Sequence, residues 1–257
     1  MSGMGSESRN VGLRDVVYGA IGFAGLVAAW QAVGSSGAAG ITVPSVAEVV
    51  RIYERAPLAA LLLRSTAATM RSALFGLGVG AVLGMLTAIV SRLSAALRPG
   101  LDRLAVVLNA VPGIALGPIL IILAGRELTP AVLATIPVFF LVYVSVSSGF
   151  SSSSRALAMM MTTFGARQGQ ILRYLDLPAA IPSLLNGLKV SVSAAMIGTV
   201  VGEWFGAPTG LGVVILNALE NFQVPLMWAT ILIVASISLA GYGVLTLAER
   251  WAERRFA

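Results

Sequence analysis

Long apolar runs alternate with short polar segments along this chain. Residues 16–33, 74–90, 104–124, 131–148, 179–201 and 225–247 are almost uncharged. Each comes close to the roughly 20 residues a helix needs to cross the hydrocarbon core of a bilayer. An all-α integral membrane protein with about six spans is the direct expectation. The first run is longer than the roughly 7–15 residues of a signal-peptide core and reads as a retained span. The small residues of 34–40 leave a cleaved leader as the alternative.

Between runs, the period of the pattern changes. After Pro44 and Ser45, apolar Val46, Val49, Val50, Ile52 and Tyr53 interleave with Glu48, Arg51, Glu54 and Arg55 at helical spacing. This predicts an amphipathic interfacial helix over about 45–56, with Ser45 as its cap. It serves either as a brace at the mouth of a pathway or as a plain surface link. The run at 74–90 carries Gly76, Gly78, Gly80 and Gly84, and small residues in a membrane helix allow close backbone approach to neighbours. Arg64 and Arg71 precede it on one face, placed to snorkel to headgroups or to contact a gate. The run at 104–124 contains Asn109, Pro112, Gly113, Gly117 and Pro118, so two interruptions of its hydrogen-bond ladder are expected. A broken membrane helix lines a pathway or is merely a tolerated kink, and Asn109, one turn from the break, favours the pathway.

The longest polar interruption is residues 151–182, SSSSRALAMMMTTFGARQGQILRYLDLPAAIP. Its composition predicts one helix over 155–163, a break at Gly165, and a second helix over 166–175 that Pro178 ends. Phe164, Ile171 and Leu175 are expected on one side, forming an apolar ridge in a cationic surround.

Composition fits a membrane protein and narrows the chemistry. Hydrophobic residues make up 57% of the chain, charged residues 11%, and the mean hydropathy is +0.90. Of the 17 basic residues all but Lys189 are Arg, and they outnumber 11 acids. With both termini inside, the cytoplasmic segments hold Arg9, Arg14, Arg92, Arg98, Arg103, Arg155, Arg167, Arg173, Arg250, Arg254 and Arg255. The outer loops after spans three and five hold only Arg126. That distribution satisfies the positive-inside rule except at Arg51, Arg55, Arg64 and Arg71, which would lie at the outer interface, with a re-entrant element over 41–71 as the alternative; no nucleic-acid partner is needed to account for the charge. There is no His and no Cys, which excludes His- or Cys-based nucleophile systems, thiolate or imidazole metal sites and haem held by His or Cys. Val190 follows the single lysine, so no P-loop exists and the chain cannot itself be an ATPase of that type.

Gly165 and Ala166, followed by Leu177, Pro178, Ile181 and Pro182 with the Gly thirteen residues before Pro178, resemble the cytoplasmic loop signature of permease subunits of binding-protein-dependent ABC importers. Val43 and Pro44, Arg71 and Ser72, and the segment VGEWFGAPTGLGVVI from Val201 extend the resemblance over most of the chain. It is nearest to the nitrate, sulfonate, taurine and pyrimidine-precursor branch. The resemblance implies the type I importer permease fold: an N-terminal tail over 1–15, then a single transmembrane unit over 16–257 with coupling helices in 151–182, in a cytoplasmic (inner) membrane. It implies a second permease copy, two ATP-binding cassette ATPase subunits and an outer solute-binding protein as partners. This chain would bind no cofactor, with ATP and Mg on the ATPases. The cargo would be a small anionic or heterocyclic solute, moved by alternating access. A secondary transporter working without an ATPase is the competing class.

On that reading Met159, Met160, Met161, Phe164, Gly165, Ala166, Ile171, Leu177 and Pro178 couple to the ATPase. The three methionines stand where the family carries Glu-Ala-Ala, and the role of that Glu cannot be carried over; either three adaptable thioethers fill the ATPase groove by packing, or this copy couples weakly or uses a particular ATPase partner. Asn109, Pro112, Ser193, Thr199 and Glu203 are the pathway candidates, with Glu203 alternatively an ordinary outer-loop carboxylate. Arg71 and Lys189 are gate or structural candidates, Lys189 alternatively snorkelling to the cytoplasmic face. Lys189 stands where relatives often have Arg.

Overall fold

In the computed structural model, residues 13–38 and 40–256 are described, and all their regular elements are helices. Chain order is α1 (Leu13–Ser36), α2 (Val46–Glu54), α3 (Ala56–Leu93), α4 (Arg98–Ala110), α5 (Gly113–Ser151), α6 (Arg155–Thr163), α7 (Gln168–Ile171), a π-helical turn (Leu172–Asp176), α8 (Leu177–Glu203), α9 (Leu211–Glu220) and α10 (Val224–Phe256). The tail expected over 1–15 falls largely outside the described residues, as do Arg9 and the side chains of Arg250, Arg254 and Arg255.

Five described helices are long and apolar enough to cross a membrane: α1, α3, α5, the continuous run from α7 through α8, and α10. The run expected as a third span is divided between α4 and the first turns of α5, on either side of Val111 and Pro112. The break falls where proline removes a backbone donor and disfavours helix at the residue before it. Pro118, expected to make the second interruption, is carried inside α5; the second interruption is instead Gly125, at φ 78° and ψ 166°. Its left-handed φ suits a residue without Cβ, and it turns the chain ahead of Arg126.

α5 lies between α3 and α8. On α3, Gly76, Gly80 and Gly84 recur every fourth residue against it. A Cβ added at these positions would come within 2.5 Å of Ala134 Cβ, 2.7 Å of Thr135 O and 2.7 Å of Phe139 O. Gly78, two residues off that stripe, faces open space, so only three of the four glycines serve close approach. On α8, Gly198 and Gly202 meet the α5 backbone at Leu133 and Pro130 in the same way. Around these contacts a central core gathers Ala134, Val138, Val142, Tyr143, Val146 and Phe150 of α5 with Ala88, Ala105, Leu172, Ala180 and Ala195.

A second core closes the opposite end. Val49 and Ile52 of α2 pack with Leu62, Leu211, Val214, Leu226 and Ala229. α2 starts on a capping box: the Ser45 hydroxyl receives the Glu48 N–H while the Glu48 carboxylate accepts from Ser45 N–H at 2.8 Å. Those bonds from the Ser45 backbone and hydroxyl hold the Glu48 carboxyl below its ordinary value. Trp30 and Trp228 donate to Pro44 O and Thr42 O, and Tyr53 donates to Ala229 O at 2.7 Å. The apolar face of α2 therefore packs on protein, against α10 and α3. It also ends earlier than expected, because α3 begins at Ala56 and carries Arg64 and Arg71 within it.

Candidate functional site

α6 has no buried residue. At about 100° per residue, Arg155, Ala158 and Thr162 share one side, while Leu157, Met160 and Phe164 share the other. The second stripe is solvent-facing and apolar: Leu157 is 46%, Met160 51% and Phe164 84% exposed. The three methionines do not act as one patch. Met159 is exposed on the flank of the polar side and Met161 is half-buried. The helix starts on Ser154, whose hydroxyl accepts from Leu157 N–H, and ends on Gly165 at φ 81°. Gly165 N–H donates to Thr162 O and Ala166 N–H to Met161 O, both at 2.9 Å. This is a Schellman cap, in which the left-handed residue is normally glycine.

The segment after Gly165 departs from the expected independent helix. α7 enters the π turn, where Leu177 N–H reaches back to Leu172 O, and continues without a stop into α8. Pro178 sits in the first turn of α8, where its missing N–H costs little, so it starts a helix where it was expected to end one. Ile171 is also not on an outward ridge. It is 9% exposed beside Leu172, while Phe164 points to solvent, Leu177 is half-buried and Pro178 is exposed. A contact missing from the sequence reading fixes this segment. Asp176, 1% exposed, accepts from Arg92 Nε of α3 at 2.8 Å and from Ser153 Oγ at 2.8 Å. Asp176 is the sole acid in residues 151–182, which is the signal that could have singled it out. The latch joins the root of α8, the end of α3 and the loop before α6.

Beside the break at Val111 and Pro112 lies a cavity of about 410 Å³. Asn109 and Pro112 line it, together with Leu133, Ile136 and Pro137 of α5 and Ala194, Ile197, Gly198 and Val201 of α8. The α8 members are spaced as one helical face, and that face is apolar. Ser193, Thr199 and Glu203, chosen from the sequence for their polarity, are not among the lining residues. Ser193 is half-buried, and Thr199 is fully buried with its hydroxyl unpartnered among the described residues. Two of the five expected pathway residues therefore meet at the cavity, and the other three lie on different faces.

Glu203 is neither an outer-loop carboxylate nor a lining group. It is 2% exposed, with Thr69 Oγ1 donating to one oxygen at 2.7 Å and Gly212 N–H to the other at 2.6 Å. Thr69 in turn receives Leu211 N–H at 2.8 Å. The first backbone donors of α9 are thus satisfied by a carboxylate and by a hydroxyl it engages, which welds α9 to α8 and α3. The Gly-Leu-Gly of residues 210–212 follows from this: a Cβ at Gly210 would fall 2.2 Å from the carboxylate carbon.

Lys189 ends on protein partners. Its ammonium pairs with Glu249 Oε2 of α10 and stands 5.5 Å from the centre of the Tyr242 ring, with both charged side chains mostly buried. This is an internal tie between α8 and α10. Arg71 is exposed on α3, two residues beyond Thr69.

Residues 80–255 match the family of binding-protein-dependent transport system inner membrane components. The formylaminopyrimidine transport permease protein of Halalkalibacterium halodurans is 31% identical over 183 residues, covering 71% of this chain and 73% of that protein. The taurine transport system permease protein of Escherichia coli is 29% identical over 182 residues, 70% of this chain and 63% of that protein. Among solved structures, an inward-facing conformation of the MetNI methionine ABC transporter superposes with a TM-score of 0.69 at 17% identity, over 77% of this chain and 98% of that one.

Proposed function

Because the chain belongs to the binding-protein-dependent transport system inner membrane component family, we propose that it works as the lever of an ATP-driven importer: α6 docks an ATPase through Leu157, Met160 and Phe164, and the α7–α8 run carries the motion into the membrane. The chain is a permease of the inner membrane, a transport subunit, and on this reading ATP hydrolysis belongs to a separate ATPase. The secondary-transporter alternative falls with the family assignment. The observation that carries the docking reading is the apolar stripe itself. An isolated helix with no buried residue and a Phe that is 84% exposed leaves a surface that a partner would cover.

The proposed assembly contains two ATPase subunits holding ATP and Mg, a second copy of this chain, and a solute-binding protein at the outer surface around α9; both termini lie in the cytoplasm, which takes an even number of crossings, with α5 counted as two segments on either side of Gly125. This chain would hold no cofactor of its own. ATP-driven closure shifts the balance between inward-open and outward-open states only insofar as the docked ATPase contacts differ between them. The π turn and the Asp176 latch make α7 and α8 one body, so displacement of α6 and its cap acts on α8 directly.

The cavity beside the broken span favours a heterocyclic cargo over an anionic one. Asn109 is its only polar side chain, and no cation lines it; an anion would lose its hydration there without a compensating charge. Of the two relatives above, the one named for a formylaminopyrimidine fits this lining better than the one named for taurine. The test is ATP-driven uptake in proteoliposomes with the cognate ATPase and binding protein. A neutral aromatic heterocycle should be taken up and taurine should not compete. Uptake of taurine in preference to heterocycles would refute the cargo assignment, and uptake independent of ATP would refute the mechanism.

A further inference from the structure

A second cavity, of about 370 Å³, lies between the adjoining ends of α3 and α5 and the first turn of α6, and its chemistry is the reverse of the apolar one. Arg92, Arg98 and Arg155 converge on it with the hydroxyl-bearing Ser91, Ser147 and Ser153, and no carboxylate is among its lining residues. Two acids outside the cavity offset two of the cations. Asp176 accepts from Arg92 through Nε alone, and Asp102 stands 3.8 Å from Arg98 Nε while also accepting the Tyr143 hydroxyl. Arg155 has no carboxylate partner among the described residues. The Ser147 hydroxyl is buried beside that of Tyr143, behind the cavity wall.

We propose that this cavity binds a phosphate-type oxyanion, gripped by Arg155 from α6 and by Arg92 and Arg98 from the α3–α4 corner. Guanidinium forks match the oxygen geometry of phosphate. The volume is more than ten times the roughly 30 Å³ of one water, enough for a hydrated phosphate or a phosphoglycerol headgroup. Leu93 and Leu97, 42% and 54% exposed, flank the α3–α4 corner and offer an apolar approach for a lipid. Either source supplies the same chemistry and the same consequence: the anion ties the polar side of α6 to the base of α3 and leaves the Leu157, Met160 and Phe164 side free for docking. The site lies outside the docking stripe and the cargo cavity, and it stands whichever solute is carried.

The test uses the purified full-length chain without any ATPase, so that no nucleotide site contributes. In uncharged detergent, inorganic phosphate at constant ionic strength should raise the unfolding midpoint saturably, where chloride does not. If the natural occupant is a lipid, nanodiscs containing phosphatidylglycerol should give the stabilisation that phosphatidylcholine nanodiscs lack, and free phosphate should weaken it. In both arms Arg155→Gln should weaken the apparent affinity by about tenfold, the loss of one charge-assisted contact. Arg103→Gln, an exposed arginine that does not line the cavity, should leave it unchanged. Arg98→Gln supplies the same comparison should Arg155→Gln fail to fold. Absence of stabilisation by both phosphate and phosphatidylglycerol, or equal behaviour of the cavity and control variants, overturns the proposal.

Discussion

Glu203 and Gly210 illustrate how single residues divide their work in this protein. The carboxylate was visible in the sequence as an ionisable group at a span end, but its role was not, because Thr69 stands 134 positions earlier and no local pattern links them. The two glycines of residues 210–212 were legible as a motif, and the structure supplies their reason: the backbone closes over Glu203 where no Cβ fits. Glu203→Ala should orphan the Thr69 hydroxyl and the Gly212 N–H at about 1–3 kcal/mol for each buried donor. Glu203→Gln, which keeps two polar atoms in place, should lose less. Thermal unfolding of the purified chain orders the variants, with wild type above Glu203→Gln and Glu203→Gln above Glu203→Ala. Gly210→Ala should destabilise as well, since its methyl group collides with the carboxylate. The apolar cavity face of α8 is illegible for the opposite reason: polar groups mark a pathway in sequence, and Ala194, Ile197, Gly198 and Val201 carry none.

At the scale of elements, the coupling segment was legible in outline and misjudged in its second half. Polar composition and the Gly165 to Pro178 spacing located it. The expectation that Pro178 terminates a helix failed because proline is equally at home in a first turn, and the widened π turn preceding it lets α7 run into α8. Ile171 was assigned outward on the same assumption of a separate helix. Gly165→Ala places a Cβ in left-handed backbone at a cost of about 1–2 kcal/mol and should lower co-purification of the ATPase. Gly165→Asn, a residue better tolerated in that conformation, should retain more. Phe164→Ser should reduce recruitment while leaving the unfolding midpoint near that of wild type, because the side chain it replaces is exposed; a fall in stability matching the fall in recruitment would count against a docking role. The tie between α8 and α10 has its own signature. Removing one partner of a mostly buried ion pair leaves the other uncompensated, at about 3–5 kcal/mol, so Lys189→Ala should destabilise more than the double variant Lys189→Ala with Glu249→Ala.

For the whole molecule, hydropathy alone located the membrane-crossing regions; the proposed orientation rests on the positive-inside pattern. The boundaries were less legible. α3 extends well outside the apolar stretch at 74–90 because α5 and the second core hold its ends, and the third run is split where Pro112 breaks the ladder. Two cores, one around α5 and one beneath α2 and α9, could not be separated from sequence, since both draw on the same small and branched apolar residues. Between them, the break at Val111 and Pro112 opens the apolar cavity through which a cargo would pass. With no native cysteine in the chain, Asn109→Cys gives a single reporter on that cavity. Labelling it with a polar thiol reagent in proteoliposomes containing the ATPase and the binding protein, with and without ATP, tests alternating access at the proposed pathway. The account predicts reaction in one nucleotide state and protection in the other; inertness in both, or equal labelling in both, would contradict it.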